Sequence, residues 1–169
     1  NTLGAHIFLE NCIRNKVKKI IHISTDEVYG DKLKGKSYEN DSLDPTNPYS
    51  ASKAAAEMII NSYKYVFKKD IVIIRANNIY GTRQFPEKLI PSCIVSLINN
   101  KKIRIHGNGR NKRHYLFVQD FCNALVIIIK KVNSGIFNIG SNECYQNIQI
   151  AKKICHLMNK SNKNIQYRK

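Results

Sequence analysis

The sequence predicts an α/β fold built on parallel strands, and three observations carry that expectation. Segments with helical spacing alternate with short β-branched runs along the chain. Two of those runs, Val17 to Ser24 and Ile71 to Ile74, are apolar enough to lie inside a sheet covered on both faces. The polar groups best suited to chemistry follow directly on the first run, at the carboxyl end of a strand, where open parallel sheets bind and transform their ligands.

Taken in order, Leu3 to Cys12 places Leu3, Ile7 and Phe8 at helical spacing and reads as the end of a helix. The strand from Val17 to Ser24 follows. Asp31 to Asn47 is rich in Gly, Asp, Asn and Pro and reads as a loop. Asn47 is a natural N-cap, Pro48 suits the first helical position, and the alanine-rich segment after it predicts a helix to about Phe67. Beyond the Ile71–Ile74 strand the pattern gives a helix from Ile90 to Asn99 and a short strand from Lys102 to His106. A helix from Val118 to Val132, a strand from Gly135 to Ile139 and a helix from Asn147 to Asn159 complete it. No internal repeat or low-complexity segment interrupts the series.

With 169 residues, 43% hydrophobic and 24% charged, the chain has the balance of a globular protein with one respectable core. Its longest apolar stretches, such as Ala124 to Ile129, are far too short to span a bilayer. Asn1-Thr2-Leu3 has no initiator Met and reads as an internal cut. Five scattered cysteines, with no Cys-x-x-Cys pair, fit neither a zinc site nor a disulfide scaffold and read as reduced thiols; no metal is expected. The net charge of +16 could attract a polyanion, either nucleic acid or a sugar-nucleotide diphosphate. The lysines, however, are spread in pairs mostly at element ends, and no basic-aromatic recognition motif accompanies them, so a nucleic-acid surface is disfavoured.

Two motifs carry chemistry. In Tyr49-Ser50-Ala51-Ser52-Lys53 the Tyr and Lys are four apart and share one helical face. An ammonium beside a phenol favours the phenolate, which could then take a hydroxyl proton while hydride leaves the same carbon. The second motif, Thr25-Asp26-Glu27, sits just past the first strand. Adjacent carboxylates there suit acid-base work in which one is protonated and the other ionised. A chance Tyr-xxx-Lys and a solvated acidic turn are the bland readings; the two motifs some twenty residues apart favour chemistry.

With these motifs the chain resembles the extended short-chain dehydrogenase/reductase superfamily, and within it the dTDP-glucose 4,6-dehydratases. The likeness is carried by Asn1-Thr2-Leu3-Gly4, by His22 to Gly30, by Pro45 to Glu57 and by Asn78 with Tyr80-Gly81. It continues through Gln84 to Pro91, Gly107-Asn108-Gly109, Arg113 and Asp120 to Phe137-Asn138-Ile139-Gly140. The resemblance implies a Rossmann-like, doubly wound parallel sheet, lacking its N-terminal half here, with a smaller α/β substrate-binding part. Residues 1–82 would be the second half of the NAD-binding domain. Residues 83–169 would bind the nucleotide sugar, with about 118–141 returning to the sheet.

The reaction so implied oxidises the hexose at C4, eliminates water across C5 and C6, and returns hydride to C6 to give a 4-keto-6-deoxy sugar. Tyr49 would be the base at the 4-hydroxyl, helped by Lys53 and Thr25, and both Tyr49 and Lys53 would contact the cofactor NAD. Glu27 would remove the C5 proton while Asp26 protonates the departing 6-hydroxyl. Substrate binding would fall to Asn78, Lys88, Leu89, Arg104, Ile105, His106, Arg113 and Asn147. The family further implies a cytoplasmic homodimer, with no membrane association, acting on a nucleotide-diphosphate sugar such as dTDP-glucose, as in dTDP-rhamnose biosynthesis. A sibling epimerase or decarboxylase, or a non-catalytic polyanion-binding remnant, are the alternatives. Three features depart from the family: Ile79 stands where a second Asn is common, Thr82-Arg83 replaces a Pro-aromatic pair, and Gln119 replaces an acid before Asp120. No Gly-rich pyrophosphate loop occurs in the sequence, so the isolated chain is expected to bind NAD poorly and to be inactive.

Overall fold

The structure, a computed structural model, describes residues 1–32 and 35–168; positions 33 and 34 of the expected Asp31–Asn47 loop lie outside the described residues. The elements in chain order are α1 (Thr2–Arg14), β1 (Lys19–Thr25), a 3-10 turn (Asp26–Tyr29), α2 (Pro48–Phe67), β2 (Asp70–Ala76), β3 (Asn78–Tyr80) and α3 (Leu89–Ile98). Then come β4 (Ile103–His106), β5 (Lys112–Phe117), α4 (Val118–Lys131), β6 (Gly135–Ile139), β7 (Cys144–Gln146), α5 (Asn147–Leu157), a second 3-10 turn (Asn162–Asn164) and β8 (Ile165–Arg168). They form two compact units, one of Asn1–Asn77 with Cys122–Ile139, the other of Asn78–Phe121 with Gly140–Lys169.

The first unit holds a parallel sheet in the order β1-β2-β6. β2 is central and buried from Ile71 to Ala76, which is why its sequence runs apolar without alternation. Register sets the chemistry of its two faces. Ile20 lies beside Ile71, His22 beside Ile73, and Ser24 beside Arg75, which in turn lies beside Asn138. On that face Leu9 and Cys12 of α1 and Ile60 of α2 pack against Ile20, Ile71 and Ile73. α2 starts as its sequence specifies: Asn47 Oδ1 accepts from the Ser50 N–H at 2.9 Å, Ser50 Oγ accepts from the Asn47 N–H at 3.3 Å, and Pro48 opens the helix.

Toward the carboxyl ends of the strands the same face turns polar. Glu57 of α2 is fully buried, and Arg75 donates to both of its carboxylate oxygens, from Nη2 at 2.7 Å and from Nε at 3.1 and 3.3 Å. Ser24 Oγ donates to the same carboxylate at 2.5 Å. The remaining Arg75 nitrogen, Nη1, donates to the Tyr29 hydroxyl at 2.7 Å and to the Glu39 carbonyl at 3.1 Å. The Tyr29 hydroxyl in turn donates to Asn138 Oδ1 at 2.7 Å. Asn138 also donates from its backbone to Glu39 Oε1 at 2.8 Å, so the loop before α2 is pinned over β6.

The second unit has its own core. Cys93 and Leu97 of α3, Ile103 and Ile105 of β4, and Ile150, Ala151, Ile154 and Cys155 of α5 are buried together. β4 pairs in parallel with β8, β3 pairs in parallel with β5, and β5 pairs antiparallel with β7. That last pairing is the one antiparallel pairing among the described strands. Five cysteines are unpaired, and no group of three His, Cys, Asp or Glu among the described residues could hold a metal ion. No helix among them is long and apolar enough to cross a membrane.

On β1, His22 Nε2 is buried without a hydrogen-bond partner. Burial, and then the nearby Lys53 ammonium, lower its pKa to about 4, with Glu57 opposing them. The folded state thus favours the neutral ring, a contribution complete above the ordinary value of 6.5 and lost as the pH falls through about 4. In NMR titration the His22 ring should change charge near pH 4, and His22→Leu should flatten the acid-side loss of stability. In urea unfolding, Glu57→Leu should cost about 3–5 kcal/mol by leaving the guanidinium buried alone, whereas Glu57→Leu with Arg75→Met should recover most of it.

Candidate active site

β1 ends in the buried Thr25, whose hydroxyl organises the turn that follows. Thr25 Oγ1 accepts from the Glu27 N–H at 3.3 Å and donates to Asp26 Oδ1 at 3.3 Å. The Gly30 N–H closes the turn on the Glu27 carbonyl at 3.1 Å. Gly30 is required there: its φ is +76°, and a Cβ would run into the Asp44 carbonyl oxygen. Val28 and Tyr29 are buried against Ala54 of α2, so the turn is anchored by its second half and presents Asp26 and Glu27 from its first.

Each carboxylate receives an amide. Asn77, the residue after β2, donates from Nδ2 to Asp26 Oδ2 at 2.7 Å. Asn47, the N-cap of α2, donates from Nδ2 to Glu27 Oε2 at 3.2 Å. The helix start that carries Tyr49 is thereby tied to the acidic turn. Tyr49 itself is 52% exposed. Burial, assisted by the Glu27 charge, raises the Asp26 pKa against the hydrogen bonds from Asn77 and Thr25. Asp26 thus holds its proton more tightly than a free carboxyl group does.

The expected acidifying effect of Lys53 on Tyr49 is not what the structure has. Lys53 Nζ donates to the Ile23 carbonyl at 2.5 Å. Tyr49 is held above the usual phenol range by burial and then by the charges of Glu27 and Asp26. Burial lowers the Lys53 ammonium, with Glu57 opposing. The helical spacing puts Tyr and Lys on one face, but the long lysine stem runs on to β1. Thr25, Asp26, Glu27, Tyr49 and Lys53 nonetheless all cluster at the carboxyl ends of β1 and β2, and Tyr49 and Lys53 are the groups there suited to hold a cofactor's polar atoms.

All eight residues expected to bind substrate fall in the second unit. Asn78 begins β3 opposite Tyr115, whose hydroxyl donates to Asn147 Oδ1 at 3.4 Å. Arg104 and His106 are exposed on β4, while Ile105 between them is only 2% exposed and locked in the core. Ile105 can therefore offer a ligand its backbone and not its side chain. Lys88 is exposed ahead of α3, and Leu89 packs against the unit's core. Arg113 is exposed on β5, with Nη1 donating to the Lys112 carbonyl at 2.9 Å. The Gly109 carbonyl accepts from the Ile148 N–H at 3.0 Å, which brings the turn after β4 onto the start of α5 beside Asn147.

The model of the NAD dependent epimerase/dehydratase family matches residues 1–140. The chain belongs to that family. It is 47% identical to a dTDP-D-glucose 4,6-dehydratase of Dictyostelium discoideum, over 93% of this chain and 39% of the relative. Among solved structures it is similar to the dTDP-glucose 4,6-dehydratase of Bacillus anthracis in complex with NAD. That likeness has a TM-score of 0.92 and 36% identity, covering 99% of this chain and 54% of the other. It is also similar to a UDP-glucuronic acid 4-epimerase of Bacillus cereus in complex with UDP-glucuronic acid and NAD (TM-score 0.91, 30% identity, 99% and 54% covered). The chain thus spans about half the length of these relatives or less, and its α/β fold is Rossmann-like, as theirs is.

Within this family member, the residues that sequence reasoning missed are Asn77 and the Glu57–Arg75 pair. Asn77 had a faint signal, standing one residue before the expected Asn78, but only strand register brings it to Asp26. The raised pKa of Asp26 has a consequence for stability. Its folded form prefers the proton, so this contribution is full below the ordinary value of 3.8 and is lost as the pH rises through the elevated folded value. Asp26→Asn should accordingly be more stable than the parent near neutral pH, and the advantage should vanish in acid, as read from thermal melts across pH.

Proposed function

We propose that this chain carries the chemical centre of a nucleotide-sugar 4,6-dehydratase, and that the full-length protein converts a nucleoside-diphosphate hexose, dTDP-glucose first among them, to its 4-keto-6-deoxy form. The observation that supports this best is the asymmetry of the acidic pair beside Tyr49. Asp26 and Glu27 are both half-buried, but Asp26 accepts from Asn77 at the end of β2, whereas Glu27 accepts from Asn47 at the helix start. Eliminating water across C5 and C6 needs one group to take a proton and another to give one. A 4-epimerase, whose single base takes and returns the hydroxyl proton, needs no such pair at C5 and C6.

The fit to NAD is tested by the donor set. Tyr49 and Lys53 offer a phenol and an ammonium at the strand ends, which suit the ribose and nicotinamide end of the cofactor. No Gly-rich turn in the sequence offers a pyrophosphate cradle. NAD, when bound, supplies the acceptor and donor of hydride. Tyr49 takes the proton of the 4-hydroxyl, and Thr25 holds the same oxygen. Two carboxylates oppose the phenolate in this arrangement, so Lys53, released from the Ile23 carbonyl, is the cation that would favour it. Glu27 takes the C5 proton, and Asp26 gives its proton to the departing 6-hydroxyl. In the second unit Lys88, Arg104 and Arg113 suit the diphosphate or nucleotide, and Asn78, Leu89, Ile105, His106 and Asn147 are the further substrate-binding residues of this reading. A cytoplasmic homodimer belongs to the same reading.

The test is product analysis by mass spectrometry, with full-length protein, NAD and dTDP-glucose. A product lighter by one water is expected. Asp26→Asn should slow water loss by about 10²–10⁴-fold, the usual worth of a positioned acid, while reduced cofactor still appears on mixing. A product of unchanged mass would replace this reading with that of an epimerase, the activity of the Bacillus cereus relative.

A further inference from the structure

The feature left unabsorbed by this reading is the side chain that contacts Asp26 most closely. Asn77 extends β2 by one residue, and its backbone N–H donates to the Ile139 carbonyl of β6 at 3.1 Å. Thr25 lies beside Ala76 in the sheet, so Asp26 and Asn77 leave their strands side by side. The amide then meets Oδ2 at 2.7 Å, while Oδ1 faces the Thr25 hydroxyl at 3.3 Å. The two oxygens of one carboxyl group are thus inequivalent: one is occupied by a short bond from a strand-anchored donor, the other by a long bond from a hydroxyl that can turn.

We propose that Asn77 is a positioning residue for the proton donor: it pins Oδ2 of Asp26 and leaves Oδ1, on the Thr25 side, as the oxygen that carries and delivers the proton. This rests on the dehydratase reading and deepens it. The unprotonated, carbonyl-like oxygen of a carboxyl group is its better acceptor, so the short N–H bond at Oδ2 favours the proton on Oδ1. Protonation at Oδ1 conflicts with nothing, because the Thr25 hydroxyl can rotate to accept. The charged and titratable groups around Asp26 do not override this selection. Glu27 is its neighbour in the turn and Tyr49 faces it from α2, both acting on charge and not on the choice of oxygen. The cations of α2 and β2 are directed elsewhere, Lys53 to the Ile23 carbonyl and Arg75 to Glu57. Asn77 also stabilises the ionised carboxylate, so it lets Asp26 part with its proton more readily than burial alone would allow.

The experiment is a titration of Asp26 in the full-length protein without substrate, read by isotope-edited infrared spectroscopy and assigned by the band lost in Asp26→Asn. Asn77→Leu removes the donor at similar volume, and the Asp26 pKa should rise by about one to two units, the worth of a hydrogen bond to a charged group. Asn77→Asp sets a second carboxylate at the same place and should raise it too. The basic limb of water elimination should move upward in step, while the rate of 4-oxidation is unchanged, a split that a merely structural role would not produce. If Asn77→Leu does not fold, Asn77→Asp decides alone. An Asp26 titration unmoved in the folded variants overturns the proposal even where the parent eliminates water. A parent that eliminates no water, with the titration moving as described, overturns the dehydratase reading and keeps the Asn77–Asp26 coupling.

Discussion

The ion pair between Glu57 and Arg75 holds the first unit together at the point where its chemistry begins. Both groups are almost wholly buried, and both spend their hydrogen-bonding capacity on several partners at once. The carboxylate gathers Ser24 from β1 and Arg75 from β2 onto α2. The guanidinium then reaches Tyr29 in the 3-10 turn and the carbonyl of Glu39, and Tyr29 reaches Asn138 on β6. One charge pair therefore spans three strands, a helix and a turn. Apolar side chains of the same volume could fill this space and match its stability. They could not impose direction, because a hydrophobic contact tolerates a slide of an ångström or two where a chain of hydrogen bonds does not.

That direction matters for the turn Asp26–Tyr29, which has little to hold it otherwise. It is four residues long, its own hydrogen bonds at Thr25 are long, and its first two side chains carry charge. Burying Val28 and Tyr29 fixes its far end, and the Tyr29 hydroxyl is locked by Arg75. The near end is fixed by amides from two different elements, Asn77 beyond β2 and Asn47 at the head of α2. Asn47 serves twice, since its oxygen caps the helix while its nitrogen holds Glu27. Tyr49, two residues on, takes its place relative to the carboxylates from that single side chain.

Much of this architecture was legible in the sequence, and the boundary of legibility has physical causes. α2 could be read from Asn47 to Phe67 because its cap, proline and alanines are all local signals. β2 could be read because a strand buried on both faces needs an unbroken apolar run, and β1, half-buried with Ile23 exposed, by its β-branched residues. By contrast β5 runs Lys-Arg-His-Tyr-Leu-Phe and buries only Leu116, so nothing in its composition separates it from a surface loop. β3, β7 and β8 have three or four residues each and owe their form to partners distant in the chain. The acidic pair and the Tyr-xxx-Lys motif announced themselves. The side chains that hold them did not, because Glu57, Arg75 and Asn77 become partners only through register. For the same reason the spacing of Tyr49 and Lys53 was misleading: it fixes the face of the helix but not where a four-carbon stem ends.

Register also decides which carboxylate meets Asn77. Successive residues of a strand alternate between faces, so shifting β1 by one position against β2 would invert every side chain beyond it. Glu27, not Asp26, would then leave the sheet beside Asn77, with a longer side chain and a different neighbour. The row Ser24–Arg75–Asn138 excludes that slip, since Ser24 moved by one position would point away from Glu57 and leave the carboxylate short of a donor in a place without water. The buried ion pair and the inequivalent carboxyl groups are consequently one device seen at two depths. Beneath the surface it sets the stagger of the strands, and at their ends that stagger places Asp26 against one amide and Glu27 against another.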